Sequence, residues 1–162
     1  MIQTSIQLSV FLENRPGELS RLARILGEKE INILALSIQD PTEYIQKLFK
    51  AREQTLRRIA SADSYRSILK EASLLTLIRF VTSEGERSVK VLIDAGYKID
   101  TQEVIQALLD NRPGQLAAIS ELFAREAINI NYTYGSALEG TEQALFIFHV
   151  SDVKKAMAAL KK

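Results

Sequence analysis

The chain has 162 residues, of which 46% are hydrophobic and 25% are charged, and its formal net charge is +1. This composition is typical of a soluble globular protein, and the balanced charge creates no overall field that would attract nucleic acid or an anionic membrane. Because the chain contains no cysteine, disulfides, thiolate metal sites and a cysteine nucleophile are excluded.

The first predicted element is a strand. Apolar side chains alternate with polar ones from Ile6 to Leu12, and Gln7 and Ser9 point away from the apolar face, as is typical of a half-buried strand. This alternation differs from the continuous apolar run of a secretory signal peptide. No stretch approaches the ~18 consecutive apolar residues that span a bilayer, so we expect a cytoplasmic protein without a membrane partner.

A turn, a helix and a second strand follow. Asn14–Gly17 has the composition of a turn, and Pro16 suits the first position of a helix, which apolar spacing then extends to about Glu28. Ile31–Ile38 predicts the second strand. The remaining predicted elements of the first half are a helical insertion over 41–73, strand Leu74–Val81, helix Glu84–Ala95 and strand Tyr97–Ile99. The second half predicts a strand over 102–110, a helix in which Leu116, Ile119, Ser120 and Phe123 take the places of the first helix's apolar residues, strand Ile128–Ala137, strand Ala144–Val150 and helix Asp152–Leu160.

The insertion over 41–73 carries a mild excess of positive charge, with seven basic and four acidic residues. An amphipathic helical pair of this kind suits a contact with RNA or with an acidic partner. It equally suits a solvated face packed on the edge of the sheet, which is the favoured interpretation.

The chain contains an internal repeat. Asn-Arg-Pro-Gly occurs at Asn14–Gly17 and at Asn111–Gly114, and each copy is followed, after the same interval, by Ile-Asn-Ile, at Ile31–Ile33 and at Ile128–Ile130. Eight of the twenty positions in these two stretches are identical. The repeat predicts two similar structural units.

Each copy reads strand–helix–strand–strand–helix, and the first adds a closing strand, which is the ferredoxin-like βαββαβ order. We therefore expect an α+β fold of two ferredoxin-like units with antiparallel sheets. The first, residues 1–100, carries the helical insertion, and the second, residues 101–162, lacks its last strand. Because an open sheet edge invites pairing, we expect the linker strand around Ile99–Val104 or a partner chain to cover it, and we favour a homodimer.

The repeated loop has chemistry of its own. The start of a helix exposes backbone N–H donors and the positive end of the helix dipole, so each copy is a candidate carboxylate or phosphate site. Gly17 and Gly114 would lie in the first turn, where they allow a ligand or another backbone to approach closely. Asn14 and Asn111 could cap the helix or present an amide to a ligand. The alternative is that Asn-Arg-Pro-Gly is only favourable turn chemistry.

Asn-Arg-Pro-Gly-x-Leu between a strand and a helix, with Ile-Asn-Ile opening the next strand, resembles the ACT domain. The resemblance covers nearly the whole chain apart from residues 41–73 and implies a regulatory module that binds an amino-acid effector where two ACT units meet. Serine-binding members carry a histidine where this chain has Leu12 and Leu109, which puts serine in doubt and implies a more apolar floor. The ligand-binding residues that the resemblance implies are Asn14, Arg15, Pro16, Gly17, Leu19, Asn32, Asn111, Arg112, Pro113, Gly114, Leu116 and Asn129.

Catalytic chemistry is not indicated. His149 is the only histidine and has no neighbouring carboxylate or cysteine in the sequence, and no glycine-rich phosphate loop is present. We therefore expect neither enzyme activity nor a cofactor or metal, and we interpret the chain as a regulatory protein whose expected partners are an amino-acid effector and a regulated protein. The alternative is a protein–protein interaction or assembly module that docks through the insertion.

Overall fold

A computed structural model of the chain describes residues 1–43, 46–47, 67, 69–136 and 140–161. The predicted insertion over 41–73 lies largely outside these residues. No helix in the described part of the chain is long and apolar enough to cross a membrane. The elements, in chain order, are β1 (Ile2–Glu13), α1 (Glu18–Gly27), β2 (Ile33–Gln39), β3 (Leu75–Thr82), α2 (Gly85–Asp94), β4 (Ile99–Asp110), α3 (Gln115–Arg125), β5 (Ile130–Ser136), β6 (Gln143–Val150) and α4 (Val153–Ala159).

The six strands form one antiparallel sheet in the order β2-β3-β1-β4-β6-β5. The α+β class and the antiparallel ferredoxin-like arrangement are confirmed. Ile99, the last residue of the predicted strand Tyr97–Ile99, begins β4. This strand continues through the strand predicted over 102–110 and crosses the predicted boundary between residues 100 and 101. Residues 99–107 of β4 pair with β1 of the first unit, and residues 105–110 pair with β6 of the second unit. The division into residues 1–100 and 101–162 therefore stays a prediction.

The expected open edge of the second unit is occupied within the chain. β1 pairs with β4 from Ile2 opposite Ala107 to Val10 opposite Ile99, so β1 stands where the second unit lacks its last strand. The expectation that the linker strand or a partner chain fills this edge is therefore wrong. The physical reason is that β1 has two pairing edges, of which β3 uses one and β4 the other.

The helices pack on one face of the sheet. Two buried apolar clusters lie there, one between the first unit's strands and α1 and α2, the other between the second unit's strands and α3 and α4. Leu8 and Phe80 are fully buried in the first cluster, and Phe123 and Phe148 in the second. These positions follow the period-2 and helical spacing of the apolar residues, which is why the sequence predicts them.

The sheet curls toward its opposite face, which we call the concave face. Tyr132 on β5 and Arg79 on β3 are separated by four strand spacings, or ~19 Å in a flat sheet. In the structure, the guanidinium carbon of Arg79 lies 4.7 Å from the centroid of the Tyr132 ring. The edge strands β2 and β5 also contact each other. The curl therefore encloses the concave face, where a third apolar cluster includes Val81, Val104 and Ile147.

Candidate functional site

The two Asn-Arg-Pro-Gly loops have the same backbone shape. Gly17 and Gly114 are the N-caps of α1 and α3, with left-handed φ angles of 96° and 91°. The expectation that Pro16 is the first helical residue is wrong, because the left-handed turn at Gly17 delays the helix to Glu18. A Cβ added at either glycine would meet nothing within 4 Å, so backbone conformation, and not close packing, requires glycine here.

Neither helix start is capped by a side chain. The first turn of a helix has N–H groups without intrahelical acceptors, and this makes each loop suited to an anionic group. Leu19 and Leu116 lie beside these turns and are 37% and 41% exposed. The loops thus present backbone donors next to an exposed apolar side chain.

The loop asparagines bind a neighbouring loop and do not cap the helix. Asn14 Nδ2 donates to the Ser73 carbonyl at 3.4 Å, and Asn111 Nδ2 donates to the Thr141 carbonyl at 3.1 Å. The adjacent arginines are engaged in ion pairs, Arg15 with Glu13 and Glu18, and Arg112 with Asp110. These contacts hold the shape of each loop, and in the second copy the Gln115 N–H also donates to the Arg112 carbonyl at 3.3 Å.

The asparagines of Ile-Asn-Ile also have a structural role. The Asn32 N–H donates to Ser83 Oγ at 3.1 Å, and the Asn129 N–H donates to Ser151 Oγ at 3.0 Å. In return, the backbone N–H groups of both serines donate to the carbonyls of the asparagines. This paired bridge at equivalent positions is a further mark of the repeat.

The strand directions determine which predicted residues lie together. β1 and β4 are antiparallel, so the loops Asn14–Gly17 and Asn111–Gly114 lie at opposite ends of the sheet. Within one unit, a loop and its Ile-Asn-Ile asparagine also lie at opposite ends. Asn129 starts β5 at the end that carries Asn14–Gly17, and Asn32 is at the end of Asn111–Gly114. The two units together therefore bring loop and asparagine to the same end of the sheet.

A cavity of about 420 Å³ lies on the concave face, between strands of both units. Its lining combines apolar walls with charged and amide side chains. The lining residues are Ser9, Phe11, Leu77, Arg79, Lys98, Ile99, Asp100, Gln102 and Tyr132.

A hydrogen-bonded network of two tyrosines and two glutamines lies beside this cavity, and two of its members, Gln102 and Tyr132, line it. Gln7 is fully buried, and its amide nitrogen, Nε2, donates to the Tyr132 hydroxyl at 2.6 Å. Tyr132 donates to Gln102 Oε1 at 2.7 Å, and the Tyr134 hydroxyl donates to Gln7 Oε1 at 3.1 Å. Since the two bonds of Gln7 join β1 of the first unit to β5 of the second, the network holds the curl of the sheet.

Electrostatics in the network favour neutral groups. Burial raises the pKa of Tyr134 well above its usual range, and Tyr132 raises it further while Arg79 opposes the shift. Tyr134 therefore keeps its proton and can donate to Gln7. Burial also lowers the pKa of His149, and Arg79 lowers it further. His149 stacks on Tyr132 with a centroid distance of 4.7 Å.

A family profile described as an ACT domain pair matches residues 52–161, which is more than half of the chain. This chain belongs to the ACT-domain family. A second profile, described as an ACT domain, matches residues 6–73. The resemblance drawn from the repeated loop is confirmed, and ACT domains are regulatory modules that bind small ligands such as amino acids. No match was found among curated proteins.

Solved structures support the ACT fold. Protein BT0572 from Bacteroides thetaiotaomicron is similar at 23% identity and a TM-score of 0.71, over 99% of this chain and 88% of that chain. The regulatory subunit of aspartate kinase from Thermus thermophilus is similar at 11% identity and a TM-score of 0.56, over 99% and 93%. The regulatory subunit of aspartate kinase from Thermus flavus has 13% identity and a TM-score of 0.54, over 99% and 92%.

The sequence patterns of this ACT pair did not predict the residues around the concave cavity as part of a site. Gln7 and Arg79 alternate with apolar neighbours and so look like solvent-facing strand positions. A weak signal exists in the tyrosines, because Tyr132 and Tyr134 alternate along one predicted strand and so share one face of it. Among the described residues, no group of three or more histidine, cysteine, aspartate or glutamate side chains is suited to a metal ion.

Proposed function

We propose that the protein is a non-catalytic regulatory protein that binds a small ligand, an amino acid, at its Asn-Arg-Pro-Gly loops near the interfaces between ACT units. The observation that carries this proposal is the loop geometry, which recurs in both units of an ACT pair. In each copy a left-handed glycine precedes a helix start without a side-chain cap. Such a start suits the α-carboxylate of an amino acid.

Each site would combine elements of two units. The backbone N–H groups after Gly17 would hold the carboxylate, and Asn129, at the same end of the sheet, would face the ammonium. Gly114 and Asn32 would form the equivalent site at the other end. Leu19 and Leu116 would contact the side chain of the ligand.

The test is a thermal-shift screen of the twenty amino acids. A ligand at 100 times its dissociation constant stabilises the folded state by ~2.7 kcal/mol. Gly114→Leu should remove the part of this stabilisation that arises at the second loop, because a side chain there strains the backbone and crowds the N–H groups. Gly96→Leu is the matched control, since Gly96 has the same left-handed φ of 90° and equally open surroundings but lies outside the loops.

Equal ligand-induced stabilisation of wild type, Gly17→Leu and Gly114→Leu would place the ligand elsewhere. If no amino acid stabilises the wild type, the protein is better explained as an interaction or assembly module. The insertion over 41–73, which that alternative uses as the docking surface, lies largely outside the described residues.

We also propose a homodimer and a regulated protein partner, as is expected of a regulatory module. The open-edge argument no longer supports the dimer, because β1 fills that edge. Light scattering at micromolar concentration tests it directly: a dimer has twice the chain mass of 18.2 kDa. A monomer would remove sites between chains and leave those between the two units of one chain.

A further inference from the structure

The strand register arranges the concave face in rows. Leu77 lies opposite Phe11, and in the next row Arg79 lies opposite Ser9, which in turn lies opposite Asp100. In the third row Val81, Gln7 and Gln102 are aligned in the same way. Across these strands the concave face therefore has an apolar pair, Leu77 and Phe11, then a row with charged ends, then a row that contains two amides. Lys98 also lines the cavity and adds a second positive group.

The charged row contains two groups of opposite sign without ion-pair partners. Within the part of the chain that the structure describes, neither Arg79 nor Asp100 forms an ion pair. Their Cα atoms are two strand spacings apart, or ~10 Å. Ser9 lies between them and carries a short side chain. This separation leaves room for a small molecule that has both a negative and a positive group.

Arg79 is held in place while most of its donors stay available. Its Nη1 donates to Gln39 Oε1 at 3.0 Å, and its guanidinium stacks over the Tyr132 ring. Tyr132 is itself fixed by Gln7 and Gln102. A guanidinium has five N–H donors, so a planar carboxylate can be bound by two of them in parallel. A preorganised cation of this kind loses little conformational entropy on binding.

We propose that this cavity is a ligand site, separate from the loops, for an apolar α-amino acid. Arg79 binds the carboxylate, Asp100 faces the ammonium, and Phe11 and Leu77 contact the side chain. The cavity volume of about 420 Å³ is at the lower end of the range for small-molecule sites. The site is independent of the proposed loop sites, because none of the loop residues lines it.

The experiment is isothermal titration calorimetry with three probes: leucine, 4-methylpentanoate, which lacks the ammonium, and 3-methylbutylamine, which lacks the carboxylate. Arg79→Met should weaken leucine and 4-methylpentanoate by about 10- to 100-fold, because a charge-assisted hydrogen bond is lost. Asp100→Asn should weaken leucine and leave 4-methylpentanoate unchanged. The matched controls are Arg87→Met and Asp94→Asn on α2, which should leave all three affinities unchanged.

A second measurement uses only the wild-type protein, so its outcome does not depend on whether a variant folds. In nitrogen-15 NMR spectra of the wild type, leucine should shift the side-chain amide signals of Gln7 and Gln102. If leucine shifts only the backbone signals of Gly17 and Gly114, the loops bind it and the cavity site is wrong. If Gln7 and Gln102 shift while the two glycines do not, the cavity binds leucine and the loop proposal fails. Absence of leucine binding to the wild type overturns the cavity site.

Discussion

The two faces of the sheet differ in what holds them together. On the convex face, strands and helices bury two clusters that consist of apolar side chains, Leu8, Phe80 and Phe123 among them. On the concave face, a smaller apolar cluster adjoins the hydrogen-bonded network of Gln7 and Tyr132. Apolar burial is non-directional and contributes most of the stability, whereas buried hydrogen bonds fix positions. The convex face therefore supports the fold, and the concave face sets the geometry of the cavity.

The largest expected effect contrasts one phenylalanine on each face. Phe123 is fully buried and packs edge-to-face on Phe148 with a centroid distance of 5.8 Å. Phe123→Ala should lower the free energy of unfolding by ~3–5 kcal/mol, because it leaves a cavity. Phe11, on the concave face, is 62% exposed. Phe11→Ala should therefore change the free energy of unfolding by about 0.5 kcal/mol or less. Urea titration of both variants makes the comparison, and similar losses would contradict it.

A smaller effect is expected from one hydroxyl of the network. Tyr132→Phe removes a hydroxyl that forms two short hydrogen bonds, one with Gln7 and one with Gln102. The buried Gln7 Nε2 then keeps only its longer contacts, to Ser9 Oγ at 3.3 Å and to Gln102 Oε1 at 3.5 Å. We expect a loss of ~1–3 kcal/mol, measured by the same urea titration.

Tyr97→Phe is the matched control for this change. The Tyr97 hydroxyl is buried and, among the described residues, has no hydrogen-bond partner. Its removal should be neutral or stabilising, because no bond is lost. If both tyrosine variants lose the same free energy, the network on the concave face does not add stability.

The smallest effect concerns pH. Burial and Arg79 lower the pKa of His149 in the folded protein, so the unfolded chain binds more protons near its ordinary pKa of ~6.5. The free energy of unfolding should therefore fall as the pH drops below that value. His149→Asn should flatten this dependence between pH 7 and pH 5, and an unchanged slope would show that other groups control it.

The sequence predicts the convex face well and the concave face poorly. Apolar spacing in β1 and α1 is local, so it identifies Leu8, Val10 and Leu22 as buried before any tertiary contact is known. Gln7 has the same local signature as an exposed strand residue, and its burial follows only from the curl that brings β5 over β1. No local rule gives that curl, because it depends on the twist of all six strands.

The candidate functional residues also fall into a group that the sequence predicts and a group that it does not. The repeated Asn-Arg-Pro-Gly loops are visible in the sequence because each is a contiguous motif, and the structure assigns their glycines a left-handed conformation. Arg79, Asp100 and Tyr132 come from three strands that are distant along the chain. Their proximity depends on register and curl, so the sequence alone gives no reason to group them.

The strand β4 has a consequence for folding cooperativity. Because β4 is the closing strand of the first unit and the opening strand of the second, neither unit has a complete sheet without the other. A fragment that ends before Ile99 would leave one edge of β1 unpaired, and a fragment that begins there would leave β4 unpaired along the length that β1 covers. The two repeats should therefore unfold in one concerted transition, and a ligand bound to either unit stabilises both. Although the sequence repeats, we expect the chain to fold as one unit.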